Sequence, residues 1–355
     1  MPDHLLPTLL TFAYIVLASG AALLLCGFVF ERIAFSRDRR TYSRRGQTID
    51  VGGYRLNVLR MGSRSPTVVI APGGGQPAID WEPVQRAIAE FTSAWCYDRS
   101  YIGWSGDNGA RCTVQGRVAE LHRLLAKTAL KGPLVLVGHS YSGFMVREYA
   151  RRYPDEVGAL VLVDCTEEEF ITRPEFLPMW KVARWPVIWR VLAGAFGGMK
   201  VWVAFRPIEA ALPAGFTPQA RAEHKAIVSH ERFWMGTLRE VGSLMDPRER
   251  QFLRDRGGPG TLGDLPMIVL AAGLPPPQEA PQFKAAGAMS WELFTRLQME
   301  SQERLAKLSS ASEFIVAKKS GHSINFFEPE LIVESVRRVV EVARQRNRSM
   351  QGRDG

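Results

Sequence analysis

The chemistry available to this chain centres on one serine-bearing turn, Val135-Leu136-Val137-Gly138-His139-Ser140-Tyr141-Ser142-Gly143. A short apolar run ends at Gly138, and an amphipathic run from Phe144 to Arg152 begins soon after. That order predicts a strand, a tight turn and a helix. A serine at the tip of such a turn holds its hydroxyl clear of the backbone. Small residues two before and two after it let strand and helix approach closely. The spelling is G-x-S-x-G with one departure, Ser142 in the place of the last glycine. Nucleophilic attack is the chemistry that fits; a plain Gly/Ser-rich turn before an ordinary helix fits the same string.

A serine hydroxyl is a poor nucleophile until a base takes its proton, and an acid must hold and charge-stabilise that base. The chain has six histidines. His4 precedes a long apolar run, and His122, His224 and His230 fall in helical patterns. His139 adjoins the serine and points away from it if the turn is an elbow. His322, in Ser320-Gly321-His322-Ser323, follows the last expected strand in a loop at the carboxyl edge of the sheet, where Ser140 also sits. His322 is therefore the expected base; its plainer reading is a surface-loop histidine.

The elements that must position these residues alternate. Residues 47–51 and 54–61 read as an antiparallel hairpin turning at Gly52-Gly53. Strands are expected at 67–71, 94–98, 133–138, 159–164, 267–272 and 313–317. Helices are expected at 81–90 with Asp80 as its cap, 114–128, 143–153, 290–308 and 329–346. Alternating strands and helices predict an α/β fold, a mostly parallel sheet covered on both faces. Residues 165–263 break the alternation and read as an inserted helical lid ending near Arg256-Gly257-Gly258-Pro259-Gly260. Its Trp180, Trp185, Trp189 and Trp202 lie among Lys181, Arg184, Arg190 and Lys200. Either the lid packs these aromatics on the sheet, or it turns an amphipathic face to a bilayer surface.

From Gln47 to Val342 the chain resembles the α/β-hydrolase superfamily. Ala71-Pro72-Gly73-Gly74-Gly75 stands where that family has its oxyanion loop. Asp98-Arg99-Ser100-Tyr101-Ile102-Gly103-Trp104-Ser105 resembles its D-R-x-G-x-G-x-S turn, with altered local spacing. The elbow, Arg152-Tyr153-Pro154-Asp155-Glu156-Val157 and the Gly321-His322 loop follow in order. The resemblance implies fold and triad logic, not substrate. It usually places the acid after the strand at 267–272, but Gly273-Leu274-Pro275-Pro276-Pro277-Gln278-Glu279 has no Asp at the customary position. Some relatives, certain haloalkane dehalogenases among them, carry the acid after the preceding strand, where this chain has Asp164. Asp164 also keeps the order serine, acid, histidine. Its plainer role is a cap or turn residue, and Glu279 and the Glu167-Glu168-Glu169 run remain alternatives. The oxyanion formed on attack needs two pre-aimed donors, expected from the amides of Tyr141 and Gly74. Asp98-Arg99 is expected to fix loop geometry. A serine nucleophile argues against haloalkane dehalogenase and epoxide hydrolase chemistry, which uses Asp in this superfamily.

Residues 5–30 carry no charge, enough apolar helix to cross a bilayer, and arginines 32, 37, 39, 40, 44 and 45 follow at once. A cleaved signal peptide fits less well, because no Lys or Arg precedes the run. The positive-inside rule then places the globular part in the cytoplasm. The net charge of +9 is confined to the ends, +5 over residues 32–45 and +4 from residue 337 onward. The middle is neutral, so a nucleic-acid surface is not indicated. Cys26, Cys96, Cys112 and Cys165 have no metal-ligand spacing and are expected as reduced, mostly buried thiols.

The expected organisation is an anchor (1–30), a basic linker (31–46), a hydrolase core (47–164 and 264–346) interrupted by the lid (165–263), and a basic tail (347–355). The expected function is a membrane-anchored serine hydrolase acting on a carboxylic ester, small-molecule or lipid, with no metal or organic cofactor. The same triad would serve an amide, thioester, C–C bond or peroxide. A non-catalytic ligand-binding member is the alternative, against which the Ser–His pair argues.

Overall fold

The computed structural model describes residues 5–128, 130, 132–206, 212–256 and 258–351. His4 and the last four residues of the basic tail lie outside them. One sheet holds β1 (Gln47–Asp50), β2 (Arg55–Met61), β3 (Thr67–Ala71), β4 (Ser93–Tyr97), β5 (Leu134–His139), β6 (Val157–Val163), β7 (Met267–Ala272) and β8 (Ser312–Ala317). The spatial order is β1-β2-β4-β3-β5-β6-β7-β8. β1 with β2 and β2 with β4 are antiparallel, and the neighbours from β4 to β8 run parallel. The expected strands are present, displaced by a residue or two at their ends.

The helices are α1 (Leu5–Tyr42), α2 (Glu82–Ala89), α3 (Val114–Lys127), α4 (Ser142–Arg152), α5 (Glu168–Thr172), α6 (Phe176–Ala195), α7 (Gly198–Phe205), α8 (Pro218–Val228), α9 (Glu231–Ser243), α10 (Pro247–Arg254), α11 (Trp291–Ala306), α12 (Ile324–Phe327) and α13 (Pro329–Gln351). Every residue of β3, β4, β5 and β7 is buried, as a sheet covered on both faces requires. Side chains alternate between two cores. Val69 and Leu136 join the cluster under α3 and α4, whereas Val68, Ile70 and Val137 join the one under α2 and α13. The parallel strands thus aim their carboxyl ends at one edge, over which α5 to α10 are inserted.

Two local expectations change. Asp80 does not cap α2. It lies in a 3-10 turn (Ala78–Trp81) and accepts from His224 Nδ1 at 2.6 Å, while Trp81 occupies the cap position without a side-chain bond. The segment after the apolar run is not a separate linker either, because residues 31–42 continue α1 as helix. The whole helix is about 57 Å long at about 1.5 Å per residue. Its N-terminal part is almost entirely exposed, and burial begins at Glu31, Ala34 and Asp38, one helical face.

Candidate active site

β5 ends at His139 and α4 begins at Ser142, which leaves Ser140 at the tip between them with φ of 50°. The left-handed region is costly for a non-glycine residue and persists only when the surroundings enforce it. Here Ser140 N–H donates to Val163 O at 3.1 Å, and Ser140 O accepts from the amides of Gly143 and Thr166 at 3.0 and 3.2 Å. The close approach of the helix to the turn after β6 falls on Gly143, one position beyond the expected spelling. A Cβ there would lie 2.4 Å from Cβ of Cys165. Ser142 is fully buried; its hydroxyl donates to Pro72 O and accepts from Arg99 Nη1 at 3.1 Å. The departure from G-x-S-x-G thus ties the elbow to the glycine loop.

His322 Nε2 stands 2.9 Å from Ser140 Oγ, and His322 Nδ1 stands 2.6 Å from Asp164 Oδ2. A neutral imidazole in this line donates from Nδ1 to the carboxylate and accepts the serine proton at Nε2. Asp164 is 3% exposed, also left-handed at φ 39°, and accepts from Ala272 N at 3.0 Å and Gln298 Nε2 at 3.3 Å. The His322 side chain is 53% exposed at the mouth. Its partial burial works against the imidazolium, but the hydrogen bond and charge of Asp164 outweigh this and raise its pKa above the ordinary 6.5.

The other carboxylate candidates are placed elsewhere. Glu167 caps α5 through Phe170 N and pairs with Arg304 at 2.8 Å. Glu168 pairs with Arg147 at 2.9 Å and Glu169 with Arg173 at 3.0 Å. Glu279 is exposed in the loop after β7.

Among the three loop glycines, Gly73 N–H donates to Gln76 Oε1 at 3.0 Å and Gly75 N–H to Glu240 Oε2 at 2.8 Å. Among the described residues, no acceptor takes the amides of Gly74 or Tyr141. Tyr141 sits at the N-terminus of α4, where amides are unpaired and the helix dipole favours negative charge. The two residues are neighbours, since a Cβ on Gly74 would lie 3.3 Å from Cβ of Tyr141.

Three contributors carry no local sequence signal. His139 does not pair with Ser140. Its Nε2–H donates to the backbone carbonyl of His322 at 2.9 Å, and the two rings lie 4.9 Å apart. Burial, helped by the neighbouring His322, pushes its pKa down to about 3, so it stays neutral. Gln298, from α11, supports Asp164 across 134 residues of sequence. Glu240, from α9, receives Arg99 Nε and Nη2 at 2.7 and 2.8 Å and Arg117 Nη2 at 2.9 Å. Burial works to raise the Glu240 carboxyl, but the two guanidinium groups hold it below its usual range. Arg99 in turn donates to the carbonyls of Pro72 and Gly73 at 2.6 and 2.7 Å. Arg99 therefore fixes the glycine loop, and Glu240 of α9 holds Arg99.

A cavity of about 480 Å³ opens over Ser140 and His322. Phe170, Ile171, Phe176, Leu274 and Phe294 line it, with Gln298 and Gln302 as polar points. Phe170 meets Phe176 and Phe294 edge-on at 4.7 and 5.4 Å, so much of the wall is aromatic.

Residues 68–335 match the model of the alpha/beta hydrolase family. An AB hydrolase superfamily protein of Gibberella zeae is 25% identical over 305 residues, 79% of this chain and 88% of that protein. The Cif epoxide hydrolase from Acinetobacter nosocomialis superposes with a TM-score of 0.61 at 16% identity, over 88% of this chain and 96% of its own. The enol-lactonase from Burkholderia xenovorans superposes with a TM-score of 0.56 at 14% identity, over 83% and 100%. The last two likenesses show the fold alone. With the family model spanning most of the sheet and the site, the chain belongs to the alpha/beta hydrolase family.

Proposed function

We propose that this protein is a membrane-anchored serine hydrolase that cleaves a carboxylic ester through an acyl-enzyme. The observation that carries the reading is the unbroken line from Ser140 Oγ through His322 to Asp164, 2.9 and 2.6 Å. Ser140 Oγ attacks the ester carbonyl as its proton passes to His322 Nε2, and Asp164 steadies the imidazolium. The negative charge that develops on the carbonyl oxygen is met by the amides of Gly74 and Tyr141. His322 then gives the proton to the departing alcohol oxygen, leaving the acyl group on Ser140. Water, deprotonated by His322, releases the acid and restores the serine. The aromatic wall favours an apolar acyl or alcohol group. Epoxide opening, the activity for which one fold neighbour is named, fits less well, because position 140 offers a hydroxyl that a base must activate.

The anchor in this reading is α1, a helix long and apolar enough to cross a membrane. The arginines after it orient the hydrolase toward the cytoplasm. A reporter fused after Gly355 is expected to be active only on the cytoplasmic side; activity on the far side reverses the orientation.

The test of the chemistry is labelling with a fluorophosphonate, together with turnover of p-nitrophenyl esters of increasing chain length. Wild type is expected to label and turn over, and Ser140→Ala to do neither while keeping its fold. Folded, unlabelled wild type would favour a ligand-binding role instead.

A further inference from the structure

We propose that the exposed aromatic face of α6 and α7 is a second membrane contact, seated in the phospholipid leaflet from which α1 emerges. The proposal rests on the reading of α1 as a membrane span and adds a second element to it. α6 and α7 meet at a bend of 106°. On α6 and its C-cap, Trp185, Trp189, Leu192 and Phe196 recur at helical spacing, and all are exposed. On α7, Val201, Trp202 and Phe205 form a second exposed stripe, Phe205 at 84%. Single exposed apolar residues need no explanation, but two stripes meeting at one bend make a patch.

The bend also lies against α1. A Cβ on Gly27 would fall 2.4 Å from the carbonyl oxygen of Phe196, and one on Gly197 would fall 2.9 Å from the ring of Phe30. Phe30 is the last residue of the uncharged run, and Glu31 and Arg32 follow it. A bilayer whose edge falls at Phe30 has its edge at the bend. The two stripes then lie near the boundary of headgroups and acyl chains, where tryptophan is favoured.

The charges on these helices select a phospholipid surface. Arg184 stacks over the ring of Trp185 at 5.6 Å and Arg206 over that of Trp202 at 4.6 Å. Two of the three exposed indoles, Trp185 and Trp202, thus carry a guanidinium that can meet a lipid phosphate while the ring enters the acyl edge. Two other cations of this segment are turned elsewhere: Lys200 pairs with Asp38 at 2.7 Å, and Arg190 covers Trp234 at 4.9 Å. α6 begins at Phe176 in the wall of the cavity, so one helix joins the membrane face to the site.

The test uses the full chain in phosphatidylcholine/phosphatidylglycerol vesicles whose acyl chains carry bromine, a contact quencher. Cys26 is exposed on α1, Cys96 and Cys165 are buried, and the half-buried Cys112 is replaced by serine (Cys112→Ser), so a bimane placed on Cys26 reports the span. Tryptophan emission does not report α1, which contains no tryptophan, and the exposed Trp185, Trp189 and Trp202 of α6 and α7 are the ones a contact quencher in the acyl chains can reach. The expected result is quenching of the Cys26 bimane together with loss of the emission carried by three of the nine tryptophans. That loss is expected to vanish in the triple variant Trp185→Phe, Trp189→Phe, Trp202→Phe. Quenched bimane with unquenched tryptophan overturns the proposal and leaves the span intact. Unquenched bimane overturns the span and the proposal with it. Unquenched tryptophan with cross-linked dimers would assign the face to a second copy of the chain, which also overturns the proposal.

Discussion

At the residue scale the proposed chemistry depends on the charge state of one imidazole. In the proposed mechanism His322 accepts the Ser140 proton only when neutral, so activity is expected to rise as pH passes upward through its folded pKa. Asp164 holds that pKa above 6.5, which puts the acid limb of kcat/KM above 6.5 as well. Asp164→Asn removes the carboxylate charge that raises the imidazole. The limb is then expected to move to lower pH, while kcat falls by roughly 10⁴-fold as the imidazole loses its orientation. A pH profile of p-nitrophenyl ester hydrolysis reads both. A few-fold loss with an unmoved limb would remove Asp164 from the acid role. Ser140 and His322 are legible as candidates in the sequence because each sits in a short motif beside a strand end, and the fold brings them within 2.9 Å. Asp164 is less so, since an aspartate after an apolar strand is also an ordinary turn residue. What separates it from Glu279 and Glu167 is the fold, which brings residues 164 and 322 within 2.6 Å.

At the scale of elements, the glycine loop is held by Arg99 and by Glu240 of α9. Glu240 is the joint: it accepts from Arg99, Arg117 and the amide of Gly75. Removing one member of a buried ion pair leaves the others charged and unsolvated, at a cost of about 3–5 kcal/mol. Glu240→Leu is therefore expected to lower the stability by that much, measured by urea denaturation. Where the protein stays folded, kcat is expected to fall more than KM changes, because the loop that aims the Gly74 amide is released. A neutral effect on both would mean that α9 merely rests on the loop. This joint was not legible in advance, because residues 99 and 240 are 141 apart and lie in different layers. The core strands were legible to within a residue or two, because burial on both faces writes continuous apolar runs. The helical continuation of α1 had a readable sign that its charge obscured. Glu31, Ala34, Asp38 and Tyr42 recur at intervals of three and four, one helical face inside an arginine-rich stretch.

For the whole molecule, that face makes the end of α1 part of the hydrolase domain. His230, at the start of α9, donates to Glu31 at 2.7 Å and to Asp38 at 3.1 Å, Arg45 reaches Glu223 at 3.4 Å, and Tyr42 stacks on Trp104. Deletion of residues 1–27 leaves these contacts in place, whereas deletion of 1–46 strips them. The longer deletion leaves His230 and Lys200 without their carboxylates, an expected loss of about 3–5 kcal/mol relative to the shorter one. The gap should depend on pH. Burial works to lower the His230 pKa, but its bonds to Asp38 and Glu31 outweigh this and raise it above 6.5. A raised histidine stabilises the fold fully below its unfolded pKa of about 6.5, and the contribution fades as pH rises through the folded value. Denaturation of the two truncated chains in the same detergent should therefore show the widest gap below pH 6.5 and a narrower one in mild alkali. A gap that does not change with pH would assign the stabilisation to the apolar contacts of Phe35 and Tyr42 instead. A gap near zero would make α1 an appendage of a self-sufficient domain.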